Sequence, residues 1–167
     1  LKLVMRVEYS LEMKKKFSYQ EMKLRAAAYC STSEHCAYDI KKKLTEWGAN
    51  EQESAQIIDY LQEENFLNEQ RFVQAFVKDK VRFSKWGKIK IAFELKMKKI
   101  NEQEISRTME QIDEEVYINI LSELLEKKDK SIKYSSQNDR KSKLFRFAQS
   151  RGFESSLAIK IIDRITK

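Results

Sequence analysis

Cys30, His35 and Cys36 are the residues of this chain that carry metal-ligating atoms close together. The spacing Cys30-x4-His35-Cys36 offers two thiols and an imidazole. A closed zinc site needs a fourth ligand, and none stands at a recognisable distance along the sequence. The same residues also fit a turn between two helices, with Cys36 near an N-cap and Asp39 three residues on. His35 is the sole histidine, the three glycines build no phosphate-cradling loop, and the carboxylates lie on helical faces rather than in paired acidic motifs. These patterns point away from catalysis: no metal, no cofactor and no catalytic residue is expected.

The sharper chemical signal is segregated charge. From Glu46 to Gln70 every charged residue is acidic: Glu46, Glu51, Glu53, Asp59, Glu63, Glu64 and Glu69. A basic block follows, with Arg71, Lys78, Lys80, Arg82, Lys85, Lys88, Lys90, Lys96, Lys98 and Lys99 opposed only by Asp79 and Glu94. Evenly spread lysines would read as a solubilising face. Here Phe83, Trp86 and Gly87 interrupt the run, setting aromatic surface and flexible backbone beside cations, as sites that grip a nucleic-acid backbone often do. Trp86 is open to two readings, surface or core. A second basic group, Arg140, Lys141, Lys143, Arg146 and Arg151, recurs further along.

Helices must position these groups. The chain has 167 residues, three Gly and no Pro, which leaves too little turn punctuation for a multi-stranded sheet. Its 41% apolar content suffices for a core, and a net charge of +7 suits an anionic partner such as nucleic acid, an acidic protein or a membrane surface. No stretch reads as a membrane span or a secretory signal, and two cysteines make no disulfide framework, so a reduced, cytoplasmic setting is expected.

The chain also resembles itself. Residues around Ile40 align with those around Ile91 and Leu144, at intervals of about 50 residues, and the correspondence continues through Ile58, Met109 and Ile162. Each copy reads as a helix, a break and a second helix. Ile40, Leu44 and Trp47, then Ile57, Ile58 and Leu61, mark the buried stripes of the first. Asn50 to Glu53 and Asn101 to Glu104 read as capping boxes, and Gly48 and Gly152 stand where a helix ends in a left-handed residue, a slot that Lys99 fills in the second copy. A further helix precedes each pair, near Gln20–Cys30, Asn68–Phe83 and Glu114–Lys127. The expected fold is all-α: three tandem three-helix repeats, at 20–67, 68–113 and 114–167, in an elongated array open to curvature. A polar loop is expected near 127–139 in the third. Residues 1–19 form an N-terminal segment whose apolar alternation, from Leu1 to Met13, fits a strand, while Leu3, Val4, Val7 and Leu11 also fit a helix.

The run Asn65-Phe66-Leu67-Asn68-Glu69-Gln70-Arg71-Phe72-Val73-Gln74-Ala75-Phe76-Val77, followed by Trp86-Gly87-Lys88-x2-Ile91-x3-Leu95, resembles the central signature of the RecX family of recombinase regulators. Ser33-Glu34-His35 ahead of Ile40-x3-Leu44-x3-Gly48 repeats the resemblance, as does Lys143-Leu144-x2-Phe147-x3-Arg151-Gly152-Phe153. It runs from about Gln20 to Ile165. Cys36 and Lys99 depart from the family pattern, where Ser and Gly are the more frequent choices, and Glu154 stands where the first two repeats have Asn50 and Asn101.

The resemblance implies three three-helix repeats in a cytoplasmic protein that binds the RecA recombinase and its filament on single-stranded DNA; a monomer is expected. Such a protein needs no cofactor and modulates, usually inhibits, ATP hydrolysis, strand exchange and stimulated repressor cleavage in DNA repair and the SOS response. DNA would be contacted indirectly or weakly, and no membrane is involved. Arg71, Lys78, Lys80, Arg82, Lys85, Trp86, Lys88 and Lys90 are the candidates for contact with DNA phosphate or acidic recombinase surface, with Arg140, Lys141, Lys143 and Arg146 behind them. The competing readings are a helical protein that binds nucleic acid directly, without the recombinase, and a nuclease or other phosphoryl-transfer enzyme, for which no carboxylate stands out.

Overall fold

The computed structural model describes residues 17–167, so the strand or helix expected near the N-terminus lies outside the described residues. Among these the secondary structure is helical throughout. The helices are α1 (Tyr19–Thr32), α2 (Ala37–Trp47), α3 (Glu51–Glu63), α4 (Glu69–Arg82), α5 (Lys88–Met97), α6 (Glu102–Glu110), α7 (Glu114–Asp129), α8 (Gln137–Ser150) and α9 (Ser155–Ile165). They fall into two compact units, one ending at Phe72 and the other running from Val73 to Lys167.

In the first unit α1, α2 and α3 bury Met22, Ala26, Cys30, Ile40, Leu44, Ile57 and Leu61, joined by Leu67, with Phe17, Trp47 and Phe66 partly covered at the edge. Each Leu or Ile removed from water contributes about 1.5–3 kcal/mol, so the stripe spacing alone favours this packing. Asn50 makes the expected capping box: its side chain accepts from the Glu53 amide at 2.8 Å, and Glu53 Oε2 accepts from the Asn50 amide at 2.9 Å. Gly48 ends α2 at φ 100°. The Cys-His cluster is absorbed into local contacts. Cys36 Sγ donates to Asp39 Oδ2 at 3.3 Å, the His35 ring stacks on Tyr29 with centroids 4.0 Å apart, and burial, then the Glu34 charge, pushes the Cys30 thiol pKa up.

The second unit buries Val73, Val77 and Val81 of α4, Ile91 and Leu95 of α5, Tyr117, Leu121 and Leu125 of α7, Leu144 of α8, Phe153 in the break after it, and Ile161 and Ile162 of α9. Lys99 adopts φ 64°, so the second break closes in the same left-handed way as the other two, without a glycine to relieve it. The cap at Asn101 differs from expectation. Its side chain accepts from the Gln103 amide at 2.7 Å, while Glu104 turns to Arg107 and Thr108 instead of reaching back. The polar stretch expected as a loop over 127–139 is shorter, because α7 continues to Asp129 and α8 begins at Gln137. Two ties explain this: Arg140 grips both Asp129 oxygens, at 2.7 and 2.5 Å, and Lys143 Nζ donates to the Lys133 carbonyl at 2.8 Å.

Candidate partner-binding surface

The structure sorts the basic candidates by what already holds them. Arg71 belongs to the first unit, where its guanidinium reaches Glu34 at 2.8 Å and the Asn65 side chain at 2.7 Å. Lys88 pairs with Glu114 at 3.0 Å and lies over the Tyr117 ring. Arg140 is bound to Asp129, which holds that carboxyl below its ordinary pKa; Lys141 meets Asp163 at 2.6 Å, and Lys143 meets Asp139 at 2.8 Å. Each of these cations is committed to the fold of its own unit in this conformation.

Lys80 and Lys90 are held by aromatic faces, and Lys80 also pairs with its neighbour Asp79 at 3.5 Å. Their ammonium groups lie 5.1 and 4.4 Å from the Trp86 ring centroid, and Lys80 is also 5.3 Å from that of Phe76. Trp86 is therefore neither fully buried nor free to stack: it is a half-buried plate that gathers two cations at the α4–α5 turn. The Trp86 amide donates to the Lys80 carbonyl at 3.0 Å, and Lys85 between them sits at φ 54°, a left-handed conformation unusual for lysine.

Lys78, Arg82, Lys85 and Arg146 have no carboxylate at ion-pairing distance among the described residues. Lys78, Arg82 and Lys85 converge on the last turns of α4 and the turn that follows, near Phe83, which is 79% exposed. An α-helix C-terminus favours cations, so local electrostatics explain part of this accumulation. It leaves them available to an external anion.

The turn is anchored by the break between α8 and α9. The Gly87 amide donates to the Arg151 carbonyl at 2.8 Å, the Ile89 amide to the Gly152 carbonyl at 3.1 Å, and an Arg151 Nη1 donates to the Ser84 carbonyl at 3.3 Å. A Cβ on Gly87 would overlap the Gly152 carbonyl, and one on Gly152, at φ 82°, would overlap Lys90. Beneath this junction the buried Tyr117 hydroxyl accepts from the Lys88 amide at 2.8 Å and donates to Glu154 Oε2 at 2.6 Å.

Two features escaped the reading of the sequence. The Gly87–Gly152 junction and its Tyr117–Glu154 bond join residues far apart in the chain, which spacing does not reveal. The outer face of α5 carries Ile89, Phe93 and Met97, each more than half exposed and four residues apart. That apolar stripe was legible in principle, since α5 has apolar residues on both sides.

Fold and surface together define an all-α protein of tandem three-helix units that presents a cation-rich turn on a glycine-tight junction. Residues 68–109 match the second three-helix domain of RecX, and residues 115–162 match the third. The chain belongs to the RecX family. It is similar to the regulatory protein RecX of Clostridium perfringens (strain SM101 / Type A), 31% identical over 130 residues that cover 77% of this chain and 60% of that protein. It is also similar to the regulatory protein RecX of Lactobacillus johnsonii, 24% identical over 140 residues, 84% of this chain and 52% of that one. The chain thus spans between half and two thirds of the length of these relatives. A crystal structure of RecX from Lactobacillus salivarius shares the fold with a TM-score of 0.76 at 18% identity, covering 88% of this chain and 96% of the other. A second RecX crystal structure gives 0.79 at 23%, covering 87% and 73%.

Proposed function

We propose that this protein binds the RecA recombinase filament on single-stranded DNA and restrains it, inhibiting ATP hydrolysis, strand exchange and co-protease activity during DNA repair and the SOS response. Membership of the RecX family is the observation that carries this reading. Its working units are the three repeats at 20–67, 68–113 and 114–167, acting in the cytoplasm as a monomer and without a cofactor or catalytic step. A protein that holds neighbouring subunits in one arrangement better than another slows the turnover that depends on moving between them.

Lys78, Arg82 and Lys85 are the foremost contacts, because nothing within the described chain neutralises them. Lys80, Trp86 and Lys90 support them as a preassembled cationic plate, and Arg146 contributes from α8. Arg71, Lys88, Arg140, Lys141 and Lys143 act chiefly by holding the units in shape. Phosphate neutralisation alone would give salt-sensitive binding to any DNA. The unpaired cations would also favour that second reading, a direct nucleic-acid binder.

The test is the single-stranded-DNA-dependent ATPase of the cognate recombinase, titrated with this protein at near-physiological salt. Inhibition at well below one protein per recombinase subunit, with DNA in excess, is the expected result. An unaffected ATPase alongside salt-sensitive binding to naked DNA overturns the proposal.

A further inference from the structure

In the second unit α4 and the segment joining α6 to α7 enclose a groove of about 240 Å³. Val77 and Val81 of α4 floor it, and Ile112 and Val116 face them from the other side. Val116 is 38% exposed, so the apolar lining is open to solvent at that edge. Lys78 and Arg82, one helical turn apart, stand along the α4 lip.

Charge distinguishes this groove from two others in the same unit. The groove between α5 and α6 has Lys88 and Lys96 at its edge, and each is neutralised, by Glu114 at 3.0 Å and Glu102 at 2.5 Å. The groove between α8 and α9 has Lys141 paired with Asp163. At the α4 groove Lys78 and Arg82 have no carboxylate at ion-pairing distance among the described residues. The acid on the opposite lip, Asp113, is committed as the N-cap of α7, accepting from the Val116 amide at 3.0 Å. An apolar floor beside two unmatched cations, with no aromatic ring among its lining residues, is complementary to aliphatic or aromatic side chains flanked by carboxylates. It is poorly suited to nucleic-acid bases, which bind single-strand platforms by stacking on rings.

We infer that this groove is a docking site for an acidic, apolar-centred segment of the recombinase, its apolar side chain on Val77, Val81, Ile112 and Val116 and its carboxylates on Lys78 and Arg82. The inference rests on the proposed role at the filament. It divides the basic surface by function: Lys78 and Arg82 read protein, leaving Lys85 with the Lys80–Trp86–Lys90 plate to meet phosphate.

Exposed Gln111 lines the groove and gives a position for a probe. In Gln111→Cys, labelled with benzophenone maleimide, the probe is directed to one site because Cys30 and Cys36 are buried. After irradiation with assembled recombinase filaments, mass spectrometry is expected to place the adduct in a recombinase segment with acids flanking apolar residues. Its yield should fall about tenfold or more when Lys78→Glu and Arg82→Glu are added. Val116→Asp, an acid that the first turn of α7 tolerates, should lower the yield comparably without altering the fold. An adduct on DNA, on a segment without carboxylates, or absent altogether while the labelled protein still inhibits the ATPase, overturns the inference and leaves the proposed function standing. An unlabelled protein that neither binds nor inhibits the filament refutes that function, and the docking inference with it.

Discussion

Tyr117 is fully buried, yet its hydroxyl is satisfied twice, by the Lys88 amide and the Glu154 carboxylate. Tyr117→Phe strands both partners, so thermal or denaturant unfolding should show a loss of about 1–3 kcal/mol. Burial, and then the bond to Glu154, hold the phenol well above its ordinary value of 10.0. The sign follows: below about pH 10 folded and unfolded chains both keep this proton, while above it only the unfolded chain releases it, so stability falls as pH rises further. Denaturant midpoints measured at about pH 9 and 11 should drop more in the parent than in Tyr117→Phe. Lys99 makes the opposite case: Lys99→Gly relieves the left-handed strain at φ 64° and should stabilise by about 1 kcal/mol. The Asn50 box and the special conformation at Gly48 were legible because caps depend on neighbours in sequence. The partner of Tyr117 was not, since Glu154 comes near it only when the two helix breaks meet.

Helices were the readable layer. The bounds expected for α1, α4 and α7 lie within a few residues of those observed, and apolar spacing of three and four residues marks the stripes of the others, because a stripe that buries Ile91 and Leu95, or Leu144 and Ala148, has the period of the helix itself. The ends were less readable. α7 outlasts its apolar pattern because Asp129 finds Arg140 beyond the loop, and α9 begins after Glu154, whose side chain serves Tyr117 instead of its own helix. At the glycine junction the backbone of the α4–α5 turn lies against that of the α8–α9 break. Gly87→Ala forces a methyl into the Gly152 carbonyl, and unfolding measurements should show about 1–3 kcal/mol of destabilisation, although φ at Gly87 is −80° and alanine would tolerate it elsewhere. A comparable alanine substitution at the exposed Gln149 should change stability by less than about 0.5 kcal/mol.

Across the whole molecule the count of 33 Lys and Arg exaggerates the surface available to a partner, because several of them are paired with carboxylates inside the fold, pairings that leave the net charge of +7 unchanged. The sequence located the basic block and the family resemblance, but it gave Arg71, Lys88 and Lys78 equal standing. Only the positions of Glu34 and Glu114 separate them. Reversing Lys78, Arg82 and Lys85 together should therefore weaken filament inhibition about tenfold or more with stability nearly unchanged, whereas Arg140→Glu should instead lower the unfolding midpoint by breaking its tie to Asp129. The proposed partner is the recombinase filament and not DNA itself. The most direct test is fluorescence anisotropy of labelled single-stranded DNA, naked and then coated with recombinase, titrated with this protein at rising salt. Binding to coated DNA is expected to persist at physiological salt after binding to naked DNA has fallen away; equal affinity for both, lost together as salt rises, would mean that DNA itself is the partner.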